Sequence, residues 1–180
     1  MVKLKQYNII NRCIKGDCKA QMQLYTAFYK MVYNSCFRIL RDKEDAEDAM
    51  QESFIKAFSH LGKYEKKIPF EAWITRIAIN TSIDKLREDK LEFVAYDQFL
   101  LNDFEDSQDE DEWEQTQEKV IRVKSAIEKL PNTSRIIISL YLIEGYDHEE
   151  IAQILKIQPG TVRIQYMRAK QQLVKLINQV

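Results

Sequence analysis

Apolar side chains recur at intervals of three and four residues, first between residues 18 and 88 and again in the last third of the chain. This helical period constrains the fold more than any other feature. The runs Cys18 to Leu40, Ala46 to Leu61 and Phe70 to about Glu88 each place their apolar residues on one stripe of a helix. A shorter helix is expected near Leu4 to Ile14. Four glycines and three prolines in 180 residues leave few turn residues for a many-stranded fold. The sequence therefore predicts an all-α fold whose first block is a small helical bundle.

The helical period resumes in the last third of the chain. It runs from Val120 to Leu130, is interrupted at Pro131 and restarts beyond it. Asp147 and Glu150 have the spacing of a capping pair that opens a short helix. The residues Lys156 to Pro159 then separate this helix from the last one. A short helix, a tight turn and a second helix with its own apolar stripe predict a helix-turn-helix.

The distribution of charge divides the chain into three parts. Residues 1–90 hold 17 basic and 12 acidic side chains, residues 91–118 hold 11 acidic and no basic ones, and residues 119–180 hold 10 basic and 5 acidic ones. We therefore predict two small helical domains, 1–90 and 119–180, joined by an acidic flexible linker, 91–118. The pattern is typical of two modules that meet a polyanion and a tether that the polyanion repels. Acidic residues that merely solvate a linker explain it equally well.

The last helix carries the strongest local indication of function. In a helix-turn-helix the second helix enters the major groove of DNA, so its exposed face must present hydrogen-bond donors to bases and phosphates. Four basic residues and no acidic ones lie between Gln158 and Val180. The candidate DNA-contacting residues are Thr161, Arg163, Gln165, Arg168 and Lys170. The alternative is that these residues form the solvated face of an ordinary packed helix.

A second candidate nucleic-acid surface is the loop from Gly62 to Pro69 with the helix behind it. Single-stranded nucleic acid binds where cations meet its phosphates and aromatic rings stack on its bases. The candidate residues are Lys63, Tyr64, Lys66 and Lys67, then Phe70 and Trp73, and further along the helix Asn80, Asp84, Lys85 and Arg87. Phe70 and Trp73 also fit the buried stripe of their helix, so an ordinary charged loop stays open as an alternative.

Metal and cofactor sites find little support in the sequence. The acidic helix from Asp42 to Glu52 has no histidine beside it, so a solvated or partner-facing surface is favoured over a metal site. The cysteines Cys13, Cys18 and Cys36 lack the spacing of zinc ligands and are expected to be thiols in a reducing compartment. We expect no cofactor and no metal.

Enzymatic and membrane functions are also disfavoured. Glycine-rich phosphate loops and nucleophile motifs are absent from the sequence, so an enzyme is not expected. Apolar runs long enough to cross a bilayer are absent too, and the first residues lack the pattern of a secretory signal. We therefore expect a cytoplasmic protein that does not insert into the membrane.

Several motifs occur in a fixed order along nearly the whole chain. The first group consists of Tyr25-x-x-Phe28-x-x-x-Val32-Tyr33, Arg38-Ile39-Leu40, the run Asp45 to Phe54, Phe70-x-x-Trp73-Ile74-x-x-Ile77-Ala78-x-Asn80 and Asp84-x-x-Arg87. The second group consists of Leu130-Pro131, Glu149-Glu150-Ile151-Ala152, Gly160-Thr161-Val162-Arg163 and Arg168-Ala169-Lys170. Together they resemble regions 2 and 4 of the bacterial extracytoplasmic-function sigma factors, members of the sigma-70 family.

The resemblance implies a role for each group of residues. It implies that Asp45, Asp48, Gln51, Glu52 and Phe54 dock on core RNA polymerase. It implies that the loop with Asn80 and Asp84 holds single-stranded bases of the −10 promoter element, with Arg87 in the same motif, and that the last helix reads the −35 element as duplex. The acidic linker would then thread a basic channel of the polymerase. An anti-sigma factor is a further implied partner.

This chain departs from the family pattern in the helix-turn-helix. Lys156 stands where glycine is usual, so a left-handed backbone there, if kept, would cost roughly 1 kcal/mol. Gln158 replaces the usual serine cap, which weakens the helix start by about 0.5 to 1 kcal/mol. Ile164-Gln165-Tyr166 replaces the common Ser-Arg-Leu and removes an arginine from the reading face. These changes predict an unusual promoter preference.

Two other classes of protein remain open at this point. One is a stand-alone helix-turn-helix regulator whose first block senses a ligand or dimerises. The other is a protein-interaction module, for example an inhibitor that mimics nucleic acid through the acidic segment.

Overall fold

The computed structural model describes the backbone of residues 2–88 and 113–178, and the side chains of residues 7–88 and 119–178. The regular structure in these ranges is entirely helical, which confirms the predicted all-α class. The chain divides into two compact units, residues 1–91 and 92–180. Most of the predicted linker lies outside the described residues, but helical backbone already begins at Trp113, within the range predicted as linker.

The first unit is a bundle of helices. Its described elements are α1 (Val2–Ile14), α2 (Cys18–Leu40), α3 (Lys43–His60), a 3₁₀ turn (Leu61–Lys63) and α4 (Phe70–Glu88). Helices α2, α3 and α4 pack on one another, and α1 packs on α2. The predicted bounds of α2 and α4 are confirmed to the residue.

Polar caps set the short connections between α1, α2 and α3. The Asp17 carboxylate accepts hydrogen bonds from the backbone N–H groups of Lys19 and Ala20 at 2.9 and 3.1 Å, which starts α2. Arg41 ends α2 in a left-handed conformation with φ of 64°. The Asp42 side chain then accepts from the N–H of Asp45 at 3.0 Å and starts α3. Because these caps satisfy backbone groups at the helix ends, three residues are enough to connect α1 to α2 and two to connect α2 to α3.

The core of the first unit lies between α2, α3 and α4. Its buried residues include Leu24, Val32 and Cys36 from α2, Ala46, Ala49, Met50, Phe54 and Ala57 from α3, and Phe70, Ile74 and Ala78 from α4. Small side chains on α3 let its backbone approach the neighbouring helices closely. The residues on the opposite side of α3 therefore point to solvent.

The second unit contains the helix-turn-helix. Its described elements are α5 (Trp113–Glu128), α6 (Asn132–Ile138), a π-helical turn (Ser139–Ile143), α7 (His148–Leu155) and α8 (Pro159–Asn178). Helix α8 packs on α5, α6 and α7. Buried residues in this unit include Ile136, Ile137, Ile138, Leu140, Ile151, Leu155, Val162 and Ala169. One correction concerns the turn: Pro159 is the first residue of α8, as suits its fixed φ, so the turn comprises only residues 156–158.

Candidate protein and nucleic-acid interfaces

The helix-turn-helix is held by a capping box and a left-handed turn. The Asp147 carboxylate accepts from the N–H of Glu150 at 2.8 Å, and the Glu150 carboxylate accepts from the N–H of Asp147 at 3.2 Å, which confirms the predicted capping pair. Lys156 ends α7 in a left-handed conformation, with φ of 53° and ψ of 42°. The Ile157 N–H donates to the Ala152 carbonyl at 3.1 Å and closes the turn.

An aromatic cluster fixes how α8 sits on the rest of the second unit. The ring of Tyr166 lies 4.4 Å from that of Tyr141 and 5.2 Å from that of His148. Burial raises the pKa of Tyr166, with a smaller contribution from Tyr141. Val162 and Ala169 are fully buried on the same side of α8. This packing orients the opposite side of α8 toward solvent.

The predicted DNA-contacting residues all lie on α8 but differ in exposure. Arg163 and Lys170 are exposed, whereas Thr161, Gln165 and Arg168 are half-buried at the margins of the outward side. Arg163 forms an ion pair with Glu149 of α7, with Nη2 2.5 Å from Oε1. The positive charge of α8 therefore has two parts. Arg163 is paired with an acid across the turn, and the other cations lie further along the helix.

The predicted polymerase-docking residues lie on α3. Asp48, Gln51 and Glu52 are exposed, and Asp45 is half-buried. Lys85 of α4 reaches across to this helix, with Nζ 2.7 Å from Asp45 Oδ1 and 3.5 Å from Asp48 Oδ2. The hydrogen bond to Asp45 is the main cause that raises the pKa of Lys85. These contacts brace α3 against α4 and leave Gln51 and Glu52 pointing outward.

Phe54 requires a correction. It was predicted to dock on polymerase, but it is only 3% exposed and its ring packs 4.8 Å from Tyr25 and 5.9 Å from Phe58. Phe54 is therefore a core residue that holds α3 on α2. The next residue, Ile55, is 69% exposed and lies one turn beyond Gln51.

The loop between α3 and α4 carries its lysines outward. Lys63, Lys66 and Lys67 are all exposed. Lys66 adopts a left-handed conformation with φ of 59°, donates a hydrogen bond to Asn11 Oδ1 at 3.2 Å and lies over the ring of Tyr7. These contacts tie the loop to α1.

Tyr64 requires a second correction. It was predicted to contact −10 DNA, but it is only 7% exposed and packs against Phe70 and Trp73 at 5.8 and 5.1 Å between ring centroids. Its hydroxyl donates to the Ile68 carbonyl at 2.6 Å, and burial raises the pKa of the phenol. Tyr64 therefore shapes the loop and has no face open for base stacking. Phe70 is buried too, which agrees with the prediction that it lies on the buried stripe of its helix.

The polar residues of α4 form one row along its outer side. Asn80 and Asp84 are exposed, and Asp84 pairs with Arg87 at 2.8 Å. Arg76 is exposed one turn before Asn80 on the same side. The loop lysines and this row combine positive charge with exposed polar groups.

Comparison with known families decides the identity. The sigma-70 region 2 model matches residues 24–92, and the sigma-70 region 4 model matches residues 121–173. The chain belongs to the sigma-70 family.

Relatives and solved structures of sigma factors agree with this assignment. The chain is 29% identical to the extracytoplasmic-function sigma factor SigW of Bacillus subtilis (strain 168), over 92% of this chain and 93% of that protein. Its fold is similar to that of CnrH in complex with the cytosolic domain of CnrY, at a TM-score of 0.54, 22% identity and coverage of 95% and 96%. It is also similar to the sigma factor RpoE in complex with the anti-sigma factor NepR from Bartonella quintana. The TM-score is 0.54 and the identity 18%, and the match covers 87% of this chain and 96% of that one.

This protein is thus a sigma factor of the extracytoplasmic-function group, and its function is to direct transcription initiation. The family assignment decides in favour of the sigma factor over the stand-alone regulator and the inhibitor that the residues alone left open. In the residues that the structure describes, no helix is both long and apolar enough to cross a membrane. No group of three histidines, cysteines or acids is placed to hold a metal ion in that same part of the sigma factor.

Sequence reasoning missed several surface residues of this sigma factor. Ile55 on α3, Arg76 on α4, and Ile164 and Met167 on α8 are exposed on the same sides as the predicted contact residues. Ile55, Ile164 and Met167 were detectable in principle, since each is an apolar residue that falls off the buried stripe of its helix. Arg76 was detectable because it precedes Asn80 by one helical turn.

Proposed function

We propose that this sigma factor binds core RNA polymerase through the outward side of α3 and leads it to promoters through the first unit and α8. The observation that carries the proposal is the separation of charge on the described surfaces. The α3 side bears Asp48, Gln51 and Glu52, whereas the outward side of α8 bears Arg163 and Lys170. An anionic surface fits a protein partner with a basic docking face, and a cationic helix-turn-helix fits DNA.

The docking surface combines charge with one apolar side chain. Ile55 extends the row formed by Asp48, Gln51 and Glu52 by one helical turn. An exposed apolar residue among charged ones is typical of the centre of a protein interface, where it is desolvated on binding. We assign Asp45 a bracing role, because its carboxylate binds Lys85 at 2.7 Å.

The DNA contacts divide between single-stranded and duplex elements. The separated −10 strand would be held by the loop lysines and by the polar row of α4. The cations would contact phosphates, and Asn80 would contact a base. The residues concerned are Lys63, Lys66, Lys67, Arg76, Asn80, Asp84 and Arg87. Helix α8 would read the −35 duplex in the major groove. The acidic segment between the domains 1–90 and 119–180 competes with DNA for both basic surfaces, so the free protein is expected to bind promoters weakly.

Regulation and location follow from the same assignment. RpoE, one of the similar structures, is in complex with an anti-sigma factor, which supports an anti-sigma partner for this chain. We propose that it acts in the cytoplasm and contributes promoter specificity without a catalytic step of its own.

Run-off transcription with purified core polymerase tests the proposal. Adding the protein should produce transcripts from a defined set of start sites, and Glu52→Gln should weaken binding to core polymerase. Glu65→Gln is the matched control, because it removes the same charge from an exposed residue of the same unit without touching α3. Transcription that is indifferent to the protein, or equal effects of the two variants on polymerase binding, would contradict the proposal.

A further inference from the structure

The outward side of α8 has an apolar centre. Ile164 and Met167 are 55% and 47% exposed, and their spacing of three residues makes them neighbours on the helix surface. Val162 and Ala169, which are fully buried, lie on the opposite side of the helix. The two exposed residues are therefore not part of the buried core of the second unit.

Basic residues flank this apolar pair. One row of the helix surface is formed by Arg163, Met167 and Lys170. The next row is formed by Ile164 and Arg168. The pair thus lies between cations on both sides, in a helix that carries no acidic residue from Gln158 onward. A duplex groove has the matching chemistry, with phosphates along both rims and base edges between them.

Only one base offers an apolar group in the major groove. Thymine exposes its C5-methyl group there, whereas the other bases present hydrogen-bond donors and acceptors. An isoleucine or methionine at the centre of the reading side has no hydrogen bond to offer, so its favourable contact is with that methyl group. The packing of Tyr166 on Tyr141 at 4.4 Å holds α8 in the orientation that presents this pair outward.

We propose that Ile164, with Met167 beside it, determines promoter specificity by contacting thymine methyl groups in the −35 duplex. This proposal rests on the proposed function of α8 as the reader of that element. It predicts a preference for T·A pairs at one or two adjacent positions. Burying one methyl group contributes about a fourfold change in the binding constant.

The test uses holoenzyme reconstituted from core polymerase and the full chain. Double-stranded promoter fragments with a randomised −35 element are selected by binding, and the enriched sequence is determined. Thymidines in that sequence are then replaced one at a time by deoxyuridine, which removes only the methyl group. We expect enrichment of thymine at one or two adjacent positions and a loss of about fourfold in affinity for each contacted methyl group.

Two variants separate base reading from general effects. Ile164→Ser should lose the thymine preference and become insensitive to deoxyuridine, since serine has no apolar side chain to contact the methyl group. Val174→Ser is the matched control, because Val174 is equally apolar and 45% exposed but lies almost three turns further along α8. It should keep both the preference and the deoxyuridine effect.

Each remaining outcome overturns the proposal in an identifiable way. If the enriched sequence binds equally well with deoxyuridine, or if Ile164→Ser keeps the wild-type preference, the inference is wrong and the proposed function stands. If Ile164→Ser changes the self-association of the free protein but not the base preference, the apolar pair covers a protein surface instead. If no duplex sequence is enriched at all, both the inference and the assignment of α8 fail.

Discussion

Glu149 of α7 and Arg163 of α8 are joined by an ion pair across the helix-turn-helix, with 2.5 Å between Oε1 and Nη2. Their side chains are 53% and 62% exposed, so the pair is screened by solvent and contributes about 0.2 to 1 kcal/mol to stability. The pair bears more directly on DNA binding. While Glu149 holds Arg163, part of the positive charge of α8 is neutralised on the side that would face phosphates.

Glu149→Gln is therefore expected to strengthen binding of the holoenzyme to promoter duplex. Freeing Arg163 for a phosphate should steepen the dependence of log affinity on log salt concentration by about 1. Affinity measured over a range of salt concentrations checks this. The control is Glu128→Gln, which removes an exposed acid from α5 of the same unit. An equal change in both variants would assign the effect to net charge and contradict a specific role of the pair.

Substitutions at two adjacent residues of α3 should affect stability and polymerase binding separately. Phe54→Ala removes a buried ring and should lower the free energy of unfolding by about 3 to 5 kcal/mol. Ile55→Ala alters an exposed side chain and should change stability by less than about 0.5 kcal/mol while weakening binding to core polymerase. Chemical denaturation and a polymerase binding assay measure the two effects. Unchanged polymerase binding in Ile55→Ala would remove that residue from the docking surface.

Lys156→Gly should stabilise the helix-turn-helix. Lys156 has φ of 53°, where a Cβ atom costs roughly 1 kcal/mol and glycine is free of strain. Because glycine also gains freedom in the unfolded chain, the net gain in unfolding free energy is expected to be below about 1 kcal/mol. Gln153→Gly is the comparison, since it puts glycine inside α7 and should destabilise by about 1 kcal/mol. Destabilisation by Lys156→Gly would show that the lysine side chain outweighs the strain.

Asp17 should make the first unit sensitive to acid. The hydrogen bond from Arg12, followed by that from the Ala20 N–H, lowers the pKa of Asp17 from its usual 3.8. A carboxyl group whose pKa is lowered by folding stabilises the protein above its unfolded pKa, and this contribution is lost as the pH falls through the folded pKa.

Asp17→Asn keeps a cap but removes the charge, so it should destabilise the protein at neutral pH, and this effect should shrink as the pH falls below the usual carboxyl pKa of 3.8. Urea denaturation of both proteins at several pH values measures the difference. Arg12→Gln should reproduce the loss at neutral pH, since it removes the partner of the same carboxylate. A difference between wild type and Asp17→Asn that persists at the lowest pH would contradict an electrostatic origin.

Local signals in the sequence were reliable where neighbouring residues alone determine the backbone. The bounds of α2 and α4 and the capping box of Asp147 and Glu150 were predictable. Each depends on interactions within a few residues, such as a cap or the end of a helix. The extent of the turn was wrong by one residue, because Pro159 suits both the turn and the first position of a helix.

Which side chains reach a partner was decided by the tertiary structure. Phe54 and Ile55 are adjacent and both apolar, and only the packing of α3 on α2 shows that the first is buried and the second exposed. The sequence alone makes Tyr64 a candidate for base stacking. The structure shows that its hydroxyl instead donates a hydrogen bond to the Ile68 carbonyl. On α8, the contact of Tyr166 with Tyr141 decides that Ile164 points away from the core.

The amino-acid sequence by itself determined the helices, the capping box of Asp147 and Glu150, and the family, because hydrophobic period, capping residues and motif order are properties of neighbours along the chain. The tertiary structure alone decided the composition of each surface. The reason is physical: a helical stripe specifies an inward side only to within about one residue position, and the crossing of the neighbouring helix determines which residue at the edge is covered.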